Sequence, residues 1–252
     1  MQRPTSKRFS SGRASAYVEG RNIILESRFA RGDYTALRRL SEELANLPVD
    51  VIVTDGPAGP AVASVTRTTP IVLCMTDDSV ALGLVNSLAR PGGNVTGFTS
   101  MGPELSGKRV DLMRTVFPRA TAVTVLLNPS GPSSAAHSRV TEETARALRL
   151  TVTRVEASSL EALRALRPEA FGGAGSAVLL LPDSMFWHHR SELLALVATA
   201  GVPSIYPGRE YADDGGLMSY GANVPDNSVA PPITSTGFCV APSRATYLSN
   251  GR

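Results

Sequence analysis

Three patterns in the sequence carry residue types that could perform chemistry, and each of them is incomplete. His188, His189 and Glu192 have a helical spacing that suits a metal ion, but His189 and Glu192 supply only two ligands and no complementary His or Cys cluster occurs elsewhere. Ser184 lacks the Gly-x-Ser-x-Gly turn of an activated nucleophile, and no histidine is placed to complete a triad. The glycine-rich run 172–175 is not followed by Gly-Lys-Ser or Gly-Lys-Thr, so it does not predict a phosphate-binding loop. We therefore expect no enzyme activity, no metal site and no cofactor.

Length and composition fit one large or two small globular domains, because 252 residues with 42% hydrophobic and 19% charged residues can bury a sizeable core. The net charge of +3 is small and the arginines are not interleaved with aromatic residues, so we expect no nucleic-acid surface. No apolar run approaches the roughly 18 residues that a membrane span needs. Residues 1–13 are basic but no hydrophobic region follows them, so they are not a recognisable signal peptide.

Strands and helices alternate in the first half of the chain. Apolar runs predict strands at 22–28, 49–54, 70–74 and 95–98. Asp33 is expected to cap a helix whose leucines line one face, and a second helix is predicted over 62–67. A third helix is predicted over 82–90, where apolar residues recur at helical spacing until Pro91, Gly92 and Gly93 end it.

The second half repeats this scheme. Strands are predicted at 120–127, 150–155, 177–181 and 203–206, with helices over 105–116, from 133 to 148, from the Ser159 cap to 166, and from 182 through 197. Residues 217–220 are the last segment that we expect to be ordered. Two consecutive units of this kind predict an α/β fold of two doubly wound, Rossmann-like lobes that face a cleft. Ligands of such sheets bind beyond the carboxyl ends of the strands.

Four sequence runs, at 17–24, 83–97, 104–109 and 216–221, resemble the substrate-binding proteins of bacterial ABC transporters. The resemblance is to the subfamily with the type I periplasmic-binding-protein fold, some of whose members bind aromatic amino acids, and it covers about 16–225. It implies a periplasmic receptor that closes two lobes over a small solute, with an amino acid as one candidate, and presents the solute to an ABC permease.

The resemblance also implies that the loops after the strands contact the ligand. On this sequence these loops contain Gly56, Pro57, Ala58, Asp77, Asp78, Asn128, Pro129, Ser130, Asp183, Ser184, Tyr206 and Tyr220. Small residues around Gly56 would let backbone amides approach a carboxylate at the start of a helix. One of the aspartates would receive an ammonium group, and a tyrosine would stack on an apolar or aromatic group. The alternatives are that each aspartate caps a helix and that each tyrosine packs in the core.

Both ends of the chain depart from the family pattern. Family members begin with a signal segment, a first strand and a long helix, whereas residues 1–15 are basic and serine-rich, so we expect the first strand of lobe 1 to be missing. After about 226 the family's long amphipathic helix is replaced by scattered Pro, Ser and Gly, as reading-frame shifts would produce.

The expected organisation is therefore an irregular segment over 1–15, an incomplete lobe 1 over 16–100, lobe 2 over 101–222, and a disordered or non-native tail over 223–252. Two alternatives to transport remain open at this point. One is an intracellular ligand-sensing α/β domain, and the other is a non-functional fragment of the binding-protein family.

Overall fold

A computed structural model describes residues 20, 21, 23–100, 102–222 and 244–249, and these residues form two parallel five-stranded sheets flanked by helices. We call the two units lobe 1 and lobe 2 after their sheets. The chain crosses from lobe 1 to lobe 2 between the fourth strand and the third helix. This architecture confirms the predicted α/β fold with two doubly wound lobes. Within the described ranges, none of the helices has the length and apolar character needed to cross a membrane.

Lobe 1 contains five strands in the order β1-β10-β2-β3-β4. Its elements are β1 Ile24–Phe29, α1 Tyr34–Ala45, β2 Val51–Asp55, α2 Ala58–Val65, β3 Ile71–Asp77, β4 Val95–Ser100 and β10 Arg244–Ser249. The Asp33 carboxylate accepts hydrogen bonds from the backbone amides of Thr35 and Ala36, which confirms the predicted cap of α1. The leucines of α1 and the apolar residues of β2 and β3 form the core of the lobe.

The strand β10 comes from the region that the sequence predicts to be irregular. It lies between β1 and β2, where Thr246 is opposite both Glu26 and Ile52. Residues 244–249 are therefore not disordered, whereas a non-native origin of the tail stays a prediction, and 223–243 and 250–252 lie outside the described residues. The physical reason is that β1 and β2 each present a row of backbone donors and acceptors to the gap between them, which only another strand can satisfy. In the described sheet, β10 thus fills the position between β1 and β2.

The helix predicted over 82–90 does not form. The chain makes turns there instead, with the amide of Leu84 bonded to the carbonyl of Ser79 and the amide of Asn86 bonded to that of Pro91. Gly83 adopts a left-handed conformation with φ +68, which interrupts a right-handed helix. Leu84 still packs against the core of lobe 1, whereas Leu88 is 67% exposed. The apolar spacing in 82–90 therefore reflects burial at Leu84 and not a helix that is buried along its whole length.

Lobe 2 contains five strands in the order β6-β5-β7-β8-β9. Its elements are α3 Gly102–Val116, β5 Ala122–Leu127, α4 Ser134–Ala147, β6 Thr151–Glu156, α5 Leu160–Ala165, a 3-10 helix Pro168–Phe171, β7 Ser176–Leu180, α6 Ser184–His188, α7 Arg190–Ala200, β8 Ser204–Tyr206, α8 Arg209–Asp213 and β9 Met218–Ser219. The Ser159 hydroxyl accepts a hydrogen bond from the amide of Ala162, so the predicted cap of α5 is confirmed. The single helix predicted from 182 through 197 is divided at His189 into α6 and α7.

Candidate ligand-binding cleft

The carboxyl ends of both sheets border one cavity of about 390 Å³. Lobe 1 contributes Gly56 after β2, Asp77 at the end of β3 and Ser100 at the end of β4. Lobe 2 contributes the loops that follow β5, β7 and β8. The volume is within the range of roughly 300–1,000 Å³ that small-molecule sites occupy. The cavity therefore lies where ligands of doubly wound sheets bind.

Some of the residues predicted to contact a ligand line this cavity and others do not. Those in the lining are Gly56, Pro57, Asp77, Asp183 and Ser184. Those outside it are Ala58, Asp78, Asn128, Pro129, Ser130, Tyr206 and Tyr220. The loops lie at the predicted edge of each sheet, but several of their side chains contact other parts of the protein and not the cavity.

The side chains outside the lining have local roles that match the packing and capping alternatives. Tyr206 is 1% exposed and stacks on Tyr211 with ring centroids 5.3 Å apart, so it belongs to the core of lobe 2. The Asp78 carboxylate accepts a hydrogen bond from the amide of Ala81 at 3.0 Å and fixes the turn after β3. The side chain of Asn128 likewise accepts one from the amide of Ser130 at 3.0 Å. Each of these contacts positions a loop rather than a ligand.

A hydrogen-bonded network joins the two lobes beside the cavity. The Arg109 guanidinium donates to the Ser106 hydroxyl at 3.0 Å, and the Ser106 hydroxyl contacts Nδ1 of His137 at 2.7 Å. His137 Nε2 is 3.1 Å from a carboxylate oxygen of Asp77, which also accepts a hydrogen bond from Ser100 at 2.9 Å. Asp77 and Ser100 belong to lobe 1, whereas the other three residues belong to α3 and α4 of lobe 2.

The network assigns the proton positions on His137. Because Ser106 accepts a hydrogen bond from Arg109, its own proton is available to Nδ1 of the imidazole. Nε2 then carries the ring proton and donates it to Asp77. The Ser106, His137 and Asp77 contacts resemble a catalytic triad, which the sequence did not predict. However, Ser106 is completely buried and does not line the cavity, so its hydroxyl has no access to a substrate.

Arg109 is the buried cation of the cavity wall, with an exposed fraction of 2%. Burial lowers its pKa from 12.5 to about 10, against the opposing effect of the Asp77 charge. It remains protonated at neutral pH, and it donates to the backbone carbonyl of Tyr220 at 2.6 Å. Among the described residues, no carboxylate forms an ion pair with it within 4.0 Å. Burial alone would raise the pKa of Asp77, but the hydrogen bonds that its carboxylate accepts from His137 and Ser100 outweigh burial and lower this pKa.

A second polar contact between the lobes involves Asp183. One carboxylate oxygen accepts hydrogen bonds from the amides of Met185 and Phe186, so Asp183 caps α6 as the capping alternative predicts. The other oxygen accepts a hydrogen bond from the Tyr34 hydroxyl of lobe 1 at 2.7 Å. Burial raises the pKa of Asp183, although the Tyr34 hydrogen bond opposes this effect. Burial and the Asp183 charge raise the pKa of Tyr34.

Sequence reasoning missed several residues of the cavity wall, among them Tyr34, Arg109, Trp187 and Tyr211. Trp187 is half-buried and forms an edge-to-face pair with the buried Tyr211, with centroids 5.8 Å apart, so Trp187 provides the accessible aromatic surface of the wall. The metal pattern noted in the sequence is a set of charge pairs: His189 is 3.5 Å from Glu192, and Glu192 binds Arg164. In the described part of the chain, no group of three or more His, Cys, Asp or Glu residues is placed to hold a metal ion.

Fold and cavity together define a two-lobed α/β protein with a cavity between its lobes. The chain belongs to the ABC transporter substrate-binding protein family, because the family model described as ABC transporter substrate binding protein matches residues 11–230. A curated relative, the tyrosine-binding protein of Clostridioides difficile (strain R20291), is 31% identical over 120 residues, which are 47% of this chain and 34% of the relative. The match thus spans about a third of the length of that relative.

Two solved structures share the fold at low sequence identity. The ABC domain of Streptococcus pneumoniae in complex with L-Trp aligns with a TM-score of 0.71 and 22% identity over 79% of this chain and 68% of that chain. A conserved domain protein of Vibrio cholerae aligns with a TM-score of 0.78 and 20% identity over 91% of this chain and 79% of that chain. At these identities the similarity establishes the fold alone.

Proposed function

We propose that this protein is the solute-binding component of an ABC uptake transporter and that it encloses an amino acid between its lobes. The observation that carries the proposal is Arg109, a cation with 2% exposure in the wall of a cavity shared by both lobes. A buried guanidinium without an ion-pair partner in the described residues is costly, and a ligand carboxylate would offset the cost with charge-assisted hydrogen bonds.

The remaining wall of the cavity suits the other parts of an amino acid. Asp77 and Asp183 place negative charge in the lining, which favours an ammonium group. Trp187, which the buried Tyr211 supports, offers an aromatic surface to a side chain. The names of the C. difficile relative and of the S. pneumoniae complex refer to tyrosine and to L-Trp, which supports an aromatic amino acid as the first candidate.

Delivery to a permease and a periplasmic location form part of the same proposal. Their support is membership of the substrate-binding protein family. We assign the protein no catalytic role, since the only serine that contacts a histidine side chain in the described residues is the inaccessible Ser106. Co-purification of the exported protein with an ABC permease would support delivery, and retention in the cytoplasm would contradict it.

Calorimetric titration with matched ligands tests the binding proposal. The panel consists of tyrosine and tryptophan, together with tyramine and tryptamine, which keep the ring and the amine but lack the carboxylate. We expect saturable binding of an amino acid, with micromolar affinity corresponding to about 8 kcal/mol. The matched amine should bind at least about 10-fold more weakly, because it loses a hydrogen bond to a charged group. Equal binding of amino acid and amine, or no binding of either by folded protein, would contradict the proposal.

A further inference from the structure

Two backbone segments meet across the cleft in a contact that we call the α1–α6 clasp, made of Gly32, Tyr34, Asp183 and Met185. Its polar part is the hydrogen bond from the Tyr34 hydroxyl to Asp183 at 2.7 Å, beside which the Ser184 amide donates to the Tyr34 oxygen at 3.4 Å. Gly32 and Tyr34 lie before and at the start of α1 in lobe 1, and the other two residues lie at the start of α6 in lobe 2.

The apolar part of the clasp is a close backbone approach that only glycine permits. A Cβ atom on Gly32 would lie 2.8 Å from the Cα atom of Met185 and 3.1 Å from its backbone nitrogen. These atoms cannot rotate aside as a flexible side chain would, because Met185 is in the first turn of α6 and its amide is bonded to Asp183. Gly32 is not among the residues that line the cavity.

The clasp joins elements that are distant along the chain, since Tyr34 and Asp183 are 149 residues apart. The crossing after β4 lies elsewhere, where Gly102 packs against Asp77 and His137, and a second crossing between β9 and β10 returns the chain to lobe 1. When two lobes rotate about a crossing, contacts near the crossing move least and contacts on other elements separate. Opening of the cleft therefore has to break the clasp.

We propose that the α1–α6 clasp sets the population of the closed state, so that Gly32 determines ligand affinity without contacting the ligand. The proposal rests on the binding function proposed above. A ligand enclosed by both lobes binds fully only to the closed state, and its apparent dissociation constant rises as the closed fraction falls. Gly32 is a positioning residue in this account, whereas Tyr34 also lines the cavity.

The test compares Gly32→Ala with Gly93→Ala as a matched control. Both glycines have φ +84, so alanine meets the same unfavourable backbone conformation in each, but a Cβ on Gly93 finds no atom within 4 Å. Apart from the effect of opening the clasp in Gly32→Ala, the backbone strain should therefore lower the melting temperature of the two variants by similar amounts. We expect Gly32→Ala to raise the dissociation constant for the bound amino acid at least 10-fold, and Gly93→Ala to change it less than 2-fold.

Small-angle scattering supplies a readout that does not depend on a ligand. Gly32→Ala should have a larger radius of gyration than the wild type and Gly93→Ala, both of which keep the clasp. Equal radii and equal dissociation constants for the two variants would overturn the proposal. If the wild type binds none of the amino acids, the function proposed above fails, and the radii still decide whether the clasp holds the lobes together.

Tyr34→Phe keeps the test decisive if Gly32→Ala does not fold. It removes only the hydroxyl that Asp183 accepts, and the ring remains in place. We expect ligand dissociation to become roughly 10- to 150-fold faster, as for loss of a hydrogen bond to a charged group, and the radius of gyration without ligand to increase. A variant with the dissociation rate and the radius of the wild type would overturn the proposal.

Discussion

Replacement of Arg109 by methionine should abolish ligand selectivity while changing stability little. The side chain donates two hydrogen bonds in the described structure, to Tyr220 and Ser106, and hydrogen bonds of charged groups contribute about 1.5–3 kcal/mol each. Against this, burial lowers its pKa from 12.5 to about 10, which corresponds to a cost of roughly 3 kcal/mol for the charged form. The free energy of unfolding should therefore fall by only about 0–3 kcal/mol.

The effect on binding should be larger and specific for the carboxylate. Loss of one charge-assisted hydrogen bond of about 1.5–3 kcal/mol weakens binding by roughly 10- to 150-fold. Arg114→Met is the matched control, because Arg114 is on the same helix and donates to the carbonyls of Pro118 and Ala120 but does not line the cavity. Calorimetry should show that Arg109→Met binds tyrosine and tyramine equally, whereas Arg114→Met still prefers tyrosine. Retained preference in Arg109→Met would refute the role assigned to the guanidinium.

Three further predictions concern stability. Because the folded structure lowers the pKa of Asp77 below 3.8, its contribution is present above that pH and is lost as the pH falls through the folded value; Asp77→Asn should thus reduce stability in urea more at pH 6 than at pH 2.5. Thr246→Pro removes a backbone donor from the central strand β10, and should lower the melting temperature by at least about 8 °C. Gly97→Ala would place a Cβ 2.1 Å from the Leu73 carbonyl oxygen, and should yield much less folded protein than Gly93→Ala on expression.

The strand pattern was predictable because parallel strands covered on both faces are continuous apolar runs. Residues 49–54 and 177–181 were recognised in this way, and β2 and β7 occupy nearly the same positions. The strand β10 was not predictable, because its six residues find their hydrogen-bond partners only when they lie between β1 and β2 in the folded sheet. The turn segment at 82–90 was misread because apolar spacing was given more weight than Gly83, whose φ of +68 decides the local backbone.

The candidate site was predictable to the extent that it follows from topology. The ends of β3 and β7 place Asp77 and Asp183 at the cavity, as the rule for doubly wound sheets requires. Arg109 was missed because it projects from the middle of a helix and not from a loop. The sequence nevertheless contained a signal for Arg109. Ser106, Arg109, Val110 and Met113 share one buried face of α3, so a charged side chain lies among apolar ones on the face that packs into the protein.

His137 carries the same signal on α4. It lies with Ser134, Ser138, Thr141 and Ala145 on the buried face of that helix, which packs against α3. Unpaired buried polar groups are costly, so polar residues that face each other on two packed helices favour pairing, although the hydroxyl oxygens of Ser134 and Thr141 have no hydrogen-bond partner in the described structure. The pairing of Ser106 with His137 fits this preference, but the next residue of the network, Asp77, comes from the other lobe and cannot be predicted from helical spacing.

Arg109 connects the ligand cavity to both lobes, and this connection makes binding and closure interdependent. Its guanidinium bonds to Tyr220 after β9 and, through Ser106 and His137, to Asp77 of lobe 1. A ligand carboxylate that binds Arg109 in the closed state therefore stabilises that state. Gly32→Ala should reduce the free energy that this contact contributes to ligand binding. In a double-mutant cycle, Arg109→Met should weaken tyrosine binding less in the Gly32→Ala background than in the wild type, by at least about 0.5 kcal/mol. Strict additivity of the two changes would refute the interdependence of binding and closure.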